Sequence, residues 1–134
     1  MHATAVSIAG RALVIRGAPG SGKSSLALQL MALGAALIAD DQVVLTRDHD
    51  QLTAGCPPTL RGMIEARGIG ILNAAVQEPA PVAAVVDLDS VETERLPPRR
   101  MVTIVGCEVP LIHQTGRVEF PSALVQFLRA GRNA

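Results

Sequence analysis

The strongest chemical signal in the chain is the segment at residues 17–24, which reads G-A-P-G-S-G-K-S. It matches the pattern G-x-x-x-x-G-K-[ST], in which glycines let successive backbone N–H groups turn toward the phosphates of a nucleotide. Lys23 can reach the same phosphate oxygens, and the Ser24 hydroxyl can be a ligand of Mg²⁺. We call this segment the phosphate loop, and predict that ATP or another polyphosphate is bound by all of its residues: Gly17, Ala18, Pro19, Gly20, Ser21, Gly22, Lys23 and Ser24.

The composition points to the same lysine. Lys23 is the only lysine in the chain, and every other Lys or Arg position is an arginine. A guanidinium is a broad planar fork, whereas an ammonium is a compact point charge that suits a narrow phosphate cradle. The single lysine therefore stands where phosphate chemistry requires one.

The elements that must position the phosphate loop can be read from the flanking residues. The apolar run 12–15 precedes it and predicts a buried strand, which is paired with residues 3–8 through a tight turn at Ala9 and Gly10. Leucines recur at helical spacing over residues 25–33, and Gly34 follows as a helix-ending glycine. A strand, a loop and a helix whose N-terminus points at an anion are therefore expected.

Phosphoryl transfer also needs an acidic element that holds Mg²⁺ or accepts a proton. Asp40 and Asp41 follow the apolar run 35–39, and Asp87 follows the apolar run 82–86. We favour the adjacent pair, because two neighbouring acids offer both a metal partner and a base. The segment 62–73 brings Glu65 among closely spaced glycines and is predicted to be a functional loop that runs into a strand.

The rest of the chain predicts more strands than helices. Residues 42–47 and 51–54 are weak strands around a turn, residues 79–81 form a linker, and residues 88–99 form a mobile polar loop. Strands at 101–105 and 108–113 are joined by a turn at residues 106–107, and Pro121 opens a last helix that ends at Gly131. We predict a single α/β domain over residues 1–134, with a strand-rich mixed sheet.

Composition excludes several partners. The formal net charge is zero and there is no Trp or Tyr, so neither electrostatic attraction nor aromatic stacking favours nucleic acid. The longest apolar stretch is too short to span a membrane. Cys56 and Cys107 lack the spacing of a zinc site or a disulfide framework. We therefore expect a cytoplasmic protein with no nucleic-acid or membrane partner.

Four features in this order carry a resemblance to a known family: His2, the phosphate loop, the triplet Ala39-Asp40-Asp41, and the segment 64–70, which reads I-E-A-R-G-I-G. Together they resemble the catalytic domain of the HPr kinase/phosphorylase family, from His2 to about residue 110. The resemblance implies the phosphoenolpyruvate carboxykinase-like, P-loop-containing fold of that C-terminal domain. It also implies a bacterial, ATP- and Mg²⁺-dependent protein serine kinase. Such a kinase phosphorylates an HPr-like carrier of a sugar phosphotransferase system, regulates carbohydrate metabolism, can reverse the reaction, and assembles as a homo-oligomer, a hexamer in the family.

The resemblance also implies roles for individual residues. His2 matches an active-site histidine, and Asp41 matches the proton acceptor of the kinase reaction. Glu65 matches a second Mg²⁺ ligand beside Ser24, and Asp40 is assigned to the metal as well. Arg95 resembles a catalytic arginine at the transferring phosphoryl group.

Three departures from the family pattern bear on this assignment. The N-terminal domain of the longer members is missing, so the chain resembles a short form. Ser25 stands where many members have an acid. Residues 111–117 retain only Gly116 and Arg117 of a segment that is rich in proline and arginine and tied to dephosphorylation, so a kinase is favoured over a phosphorylase. A small-molecule P-loop kinase and a nucleotide-sensing module without catalysis remain alternatives.

Overall fold

Ten strands and two helices form the framework around the phosphate loop in a computed structural model, which describes all of residues 1–134. The strands are β1 (Thr4–Ile8), β2 (Arg11–Arg16), β3 (Ala36–Ala39), β4 (Val44–Asp48), β5 (Gln51–Gly55), β6 (Met63–Ala66), β7 (Gly70–Asn73), β8 (Ala80–Val91), β9 (Arg100–Ile104) and β10 (Cys107–Gln114). The helices are α1 (Lys23–Ala32) and α2 (Phe120–Ala130), and a short 3-10 helix covers Pro58–Leu60.

The main sheet is mixed, as predicted. Its strand order is β3-β1-β2-β8-β10-β9, and the β4–β5 hairpin joins it through β5, which pairs with the start of β8. Strands β2, β8 and β10 run parallel, whereas β1, β3 and β9 are antiparallel to their neighbours. The C-terminal ends of the three parallel strands lie at one edge of the sheet, the edge at which ligands collect in α/β proteins.

Both faces of the sheet are buried. On one face, Leu13 and Ile15 of β2 belong to the cluster that includes Leu30 of α1 and Leu128 of α2. On the opposite face, Val14 packs in a second cluster with residues from β5, β9 and β10. A strand that is covered on both sides needs apolar residues at consecutive positions, which explains the unbroken run at the centre of β2.

Most predicted elements are confirmed to within a few residues: the β1–β2 hairpin, α1, β3 and α2. Ala9 and Gly10 both have positive φ, at 54° and 75°, which is the geometry of a two-residue hairpin turn. Gly34 has a φ of 110° just after α1, as expected for a helix-ending glycine. In addition, no helix of the structure is both long enough and apolar enough to cross a membrane.

The structure corrects four boundaries. Residues 62–73 form a hairpin of β6 and β7, so Glu65 lies within a strand rather than a loop. Residues 79–81 are not a linker, because β8 begins at Ala80; its first residues tolerate Pro81. Asp87 lies inside β8, which continues to Val91 and shortens the expected loop at 88–99.

The fourth correction is the turn between β9 and β10. It consists of Val105 and Gly106, with φ of 50° and 76°, rather than residues 106–107. Cys107 is buried and pairs with Ile104, so burial in the apolar core determines the register of β9 and β10. This register requires a positive φ at Val105, which is uncommon for a β-branched residue.

Candidate active site

The phosphate loop connects the end of β2 to the start of α1. Gly20 and Gly22 have φ of 81° and 103°, a left-handed region that favours glycine. Gly22 is the residue before the first turn of α1, and no side chain caps the free N–H groups there. The helix therefore presents unpaired backbone donors and the positive end of its dipole to the space beside the loop.

The Lys23 side chain folds back onto its own loop. Its Nζ donates to the carbonyl oxygens of Gly17, at 2.9 Å, and Ala18, at 3.2 Å. Both bonds are to neutral oxygens, which an anionic phosphate can replace with a stronger charge-assisted contact. The structure thus holds the ammonium against the phosphate loop, and its contact with phosphate stays a prediction.

Asp40 is the centre of the hydrogen-bond network of the site. Its Oδ1 accepts hydrogen bonds from Ser24 Oγ, at 2.7 Å, and Thr4 Oγ1, at 2.9 Å. Its Oδ2 accepts from the backbone N–H of Glu65, at 3.0 Å. One buried carboxylate therefore ties the start of α1 to β1 and to the β6–β7 hairpin.

Asp41 lies in the opposite environment, with three quarters of its side chain exposed. Its φ is 72°, and the N–H of Gln42 donates to the carbonyl oxygen of Asp40 at 2.9 Å. A hydrogen bond across one residue of positive φ is the strained form of γ-turn, and such strain is found at functional sites. The imidazole Nδ1 of His2 lies 3.7 Å from Asp41 Oδ1, and the Gln42 amide contacts both ring nitrogens at 3.3 Å.

Asp40 and Asp41 line a cleft of about 700 Å³, whereas His2 approaches Asp41 from outside the wall of that cleft. The walls of the cleft come from the phosphate loop, the Asp40–Asp41 turn and the β6–β7 hairpin, including Glu65 and Arg67. The assigned loop residues in the wall are Pro19, Gly20, Gly22, Lys23 and Ser24. Gly17 and Ala18 lie outside this wall and contact the end of β8, and Ser21 lies beside Gly17. The volume lies within the range of small-molecule sites in proteins.

The donor set of the cleft fits Mg²⁺. Ser24, Asp40 and Glu65 all offer oxygen atoms, which hard cations prefer. The Ser24 hydroxyl gives its one hydrogen to Asp40, so the lone pairs of its oxygen remain for a metal. No group of three or more acidic, His or Cys side chains is close enough to form a cage. Mg²⁺ is typically held by one or two carboxylates together with substrate phosphates, and these residues suit that arrangement.

Two contacts at the site involve residues that sequence reasoning missed. Thr4 is fully buried and bonds Asp40, and its only sequence signal is a polar residue inside an apolar strand. Asp89 is exposed, yet its carboxylate accepts the backbone N–H of Ala18 in the phosphate loop. Asp87, the alternative metal ligand, instead pairs with Arg16 at 3.3 Å.

The structure does not bring Arg95, one of the assigned catalytic residues, to the cleft. Arg95 lines a second cavity of about 400 Å³, between β9, β10 and α2. The start of its loop is anchored, since Glu92 accepts two hydrogen bonds from Arg100, at 3.1 and 3.0 Å. The hydrogen bonds from Arg100 lower the pKa of Glu92 to about 2. The predicted mobility of residues 88–99 therefore does not extend to Glu92.

Comparison with known proteins relates the chain to one family. A sequence model described as the HPr Serine kinase C-terminal domain matches residues 1–113. The chain is 34% identical over 125 residues to an HPr kinase/phosphorylase of Exiguobacterium, covering 84% of this chain and 40% of that protein. It is 44% identical over 73 residues to an HPr kinase/phosphorylase of Nitrosomonas europaea, covering 54% of this chain and 23% of that protein. The chain thus spans less than half the length of these relatives.

A solved structure shows the same architecture. The Hpr(Ser) kinase/phosphatase from Coxiella burnetii superposes with a TM-score of 0.79 at 27% identity, over 96% of this chain and 93% of that one. Its agreement with the mixed sheet and the two helices confirms the predicted fold class. From the matched family model, the similar sequences and this superposition, we conclude that the chain belongs to the HPr serine kinase C-terminal domain family.

Proposed function

We propose that the chain is an ATP- and Mg²⁺-dependent kinase that phosphorylates a serine on an HPr-like phosphocarrier protein. The observation that supports this most is the different environment of two adjacent acids beside the phosphate loop. Asp40 is buried and bonded to Ser24, while Asp41 is exposed at the rim of the same cleft, where a protein substrate can reach it. A nucleotide sensor without catalysis has no need of the second acid.

Each group in the cleft has a task in phosphoryl transfer. The N–H groups of the phosphate loop and the Lys23 ammonium hold the β- and γ-phosphates. Mg²⁺, held through Ser24, Asp40 and Glu65, would neutralise charge on the phosphate oxygens. The Asp41 carboxylate accepts the proton of the serine hydroxyl. At the same time the serine oxygen bonds to the γ-phosphorus, and the bond between the γ-phosphorus and the ADP oxygen breaks. His2 lies beside Asp41 and can orient that carboxylate.

The same experiment tests the reaction and the base. The chain is incubated with ATP, Mg²⁺ and a purified HPr-like carrier, and mass spectrometry locates phosphate on the carrier. We expect Asp41→Asn to lower the transfer rate by roughly 10² or more, the scale of a positioned general base. ATP affinity should stay within about threefold, because the partner of the Asp41 side chain is His2 and not a residue of the phosphate loop. Asp48→Asn, in the distant β4–β5 hairpin, is the matched control.

Two results would contradict the proposal. Phosphate found on a small-molecule acceptor but never on a carrier serine would favour the small-molecule kinase. A silent Asp41→Asn together with an inactive but folded Asp40→Asn would move the base to Asp40.

The kinase direction is favoured over the phosphorylase direction by the state of Arg117. Its guanidinium is already paired with Glu119 at 2.7 Å, and the residue lies outside the walls of the cleft. A reverse reaction has to hold an incoming phosphate beside a phosphoserine, which calls for additional free cations. The role of Arg95 stays a prediction, since a change of its loop or a neighbouring copy is needed to bring it to the phosphoryl group.

Three further expectations belong to this proposal. Residues 1–134 are proposed to act as a single catalytic domain. Assembly into a homo-oligomer, a hexamer by family resemblance, can be measured by light scattering. A cytoplasmic location is supported by Cys56 and Cys107, which are both free thiols, because reducing compartments preserve them.

A further inference from the structure

The C-terminal end of β8 contacts the beginning of the phosphate loop residue by residue. Asp87 pairs with Arg16 at 3.3 Å, one residue before the loop. Leu88 packs against Gly17 so closely that a Cβ added to the glycine would lie 3.2 Å from the Leu88 Cβ, and the same Cβ would also clash with the Ser21 side chain of the loop. The backbone pairing of β2 with β8 ends at Arg16 and Asp87, and side chains of β8 continue the contact into the phosphate loop.

The third contact is the most specific one. The backbone N–H of Ala18 donates to both carboxylate oxygens of Asp89, at 2.9 and 3.1 Å. Asp89 is itself oriented, because its own N–H donates to Asp87 Oδ1 at 2.9 Å. A charge-assisted bond to a backbone N–H is stronger than a neutral one and fixes the direction of the peptide.

The position of Asp89 is unexpected from electrostatics alone. A loop that binds polyphosphate should exclude negative charge, yet a carboxylate lies on one of its first N–H groups. The carbonyl of the same residue, Ala18, is held from the other side by Lys23. When the ammonium turns from that carbonyl to a phosphate oxygen, the carbonyl keeps its hydrogen bond from the Ser21 N–H, at 3.0 Å, and the Asp89 carboxylate continues to hold the Ala18 N–H.

We infer that Asp89 is a positioning residue for nucleotide binding: its carboxylate holds Ala18, and thereby the first turn of the phosphate loop, in the conformation that receives phosphate. This inference rests on the proposed ATP binding of the loop but not on the identity of the acceptor. Asp89 acts through the backbone and not on the reacting atoms. Its loss should therefore weaken ATP binding more than it slows transfer at saturating ATP.

The test compares Asp89→Ala with Asp89→Asn. The alanine variant has no acceptor for the Ala18 N–H, so the dissociation constant of Mg-ATP measured by calorimetry should rise about tenfold, the equivalent of one strong hydrogen bond. The asparagine variant keeps an acceptor oxygen and removes a negative charge, so its constant should stay within about threefold of the wild-type value. Asp50→Ala, a fully exposed acid in the distant β4–β5 turn, is the control.

Two further readouts separate positioning from general stability. Exchange of the Ala18 amide hydrogen, followed by NMR, should become faster in Asp89→Ala and remain slow in Asp89→Asn. In the carrier assay, the KM for ATP should rise in Asp89→Ala while kcat stays within about threefold and the KM for the carrier is unchanged. Circular dichroism confirms that each variant is folded.

Several results would overturn the inference. Asp89→Ala that binds ATP within about twofold of the wild type would show that the loop is held by other contacts. Equal weakening in the alanine and asparagine variants would show that charge, not the bond to Ala18, matters. A wild-type chain that fails to bind ATP would overturn both this inference and the proposed function, whereas ATP binding without carrier phosphorylation would refute only the latter.

Discussion

Replacement of Asp40 is expected to destabilise the chain by an amount that depends on how many hydrogen bonds the substitute can accept. The carboxylate receives three, from Ser24 Oγ, Thr4 Oγ1 and the Glu65 N–H. Asparagine has nearly the same shape, and its oxygen can still accept from Ser24 and Thr4. Its NH₂ group then faces the Glu65 N–H, so the acceptor of that N–H is replaced by a second donor.

The magnitude follows from that difference. A buried donor without a partner costs about 1–3 kcal/mol, so the free energy of unfolding of Asp40→Asn should fall by about 2 kcal/mol. Asp40→Ala leaves the fully buried Thr4 hydroxyl and the Glu65 N–H unpaired and should lose about 3–5 kcal/mol. Domains of this size are stable by only about 5–15 kcal/mol, so the alanine variant should be close to unfolding.

Urea unfolding followed by far-ultraviolet circular dichroism measures these losses. Fluorescence is unsuitable because the chain has no Trp or Tyr. The matched control is Asp41→Asn, because the exposed Asp41 side chain takes no part in the hydrogen bonds of Asp40 and asparagine tolerates positive φ. The free energy of unfolding of this variant should lie within about 0.5 kcal/mol of the wild-type value. Asp40→Asn and Asp41→Asn that unfold at the same urea concentration would refute the reasoning.

Two other predictions concern the phosphate loop and the ion pair between Glu92 and Arg100. Lys23→Ala should abolish measurable ATP binding in calorimetry, and Ser24→Ala should mainly weaken the Mg²⁺ dependence of binding. Arg129→Ala, at an exposed position, is the control. Undiminished ATP binding by the Lys23 variant would rule out phosphate binding by this loop. Arg100→Ala should destabilise the chain at neutral pH, because it removes the partner that lowers the pKa of Glu92 from 4.5 to about 2. A carboxyl with a lowered pKa stabilises the fold above its unfolded value, so the difference in urea midpoint between wild type and variant should be full above about pH 5 and vanish as the pH falls toward 2. A gap that is constant over that range would show that the ion pair is not its cause.

The sequence predicted those parts of the fold that short-range patterns determine. The apolar run of β2, the leucine spacing of α1 and the glycines of the phosphate loop each specify a local structure, and all three are confirmed. The β6–β7 hairpin was missed because Arg67-Gly68-Ile69 also suits a functional loop, and because only one face of β6 is buried, through Ile64 and Ala66. The length of β8 was missed because polar residues from Asp87 onward look like a loop, while the structure uses them to hold its neighbour.

The contacts of Thr4 and Asp89 could not be read from the sequence, because each depends on long-range pairing. Thr4 meets Asp40 only because β1 pairs with β3 in the register that places Ala5 opposite Ala39. Asp89 meets Ala18 only because β8 lies directly beside β2. Both contacts can be proposed once the strand order is known, since each joins residues in or just beyond adjacent strands.

The separation of Asp40 from Asp41 shows how backbone geometry assigns different chemistry to identical neighbours. Side chains of successive strand residues point to opposite faces, and here β3 ends immediately before the pair. The γ-turn at Asp41 then reverses the chain within one residue, so that Gln42 and His2 meet on the exposed side while Asp40 stays beneath Ser24. A non-glycine residue at a φ of 72° is strained, and the three hydrogen bonds to Asp40 together with the His2–Gln42 bridge hold it there. The exposed carboxylate is thus placed by the buried one, and a change at Asp40 should impair Asp41 even where the chain stays folded.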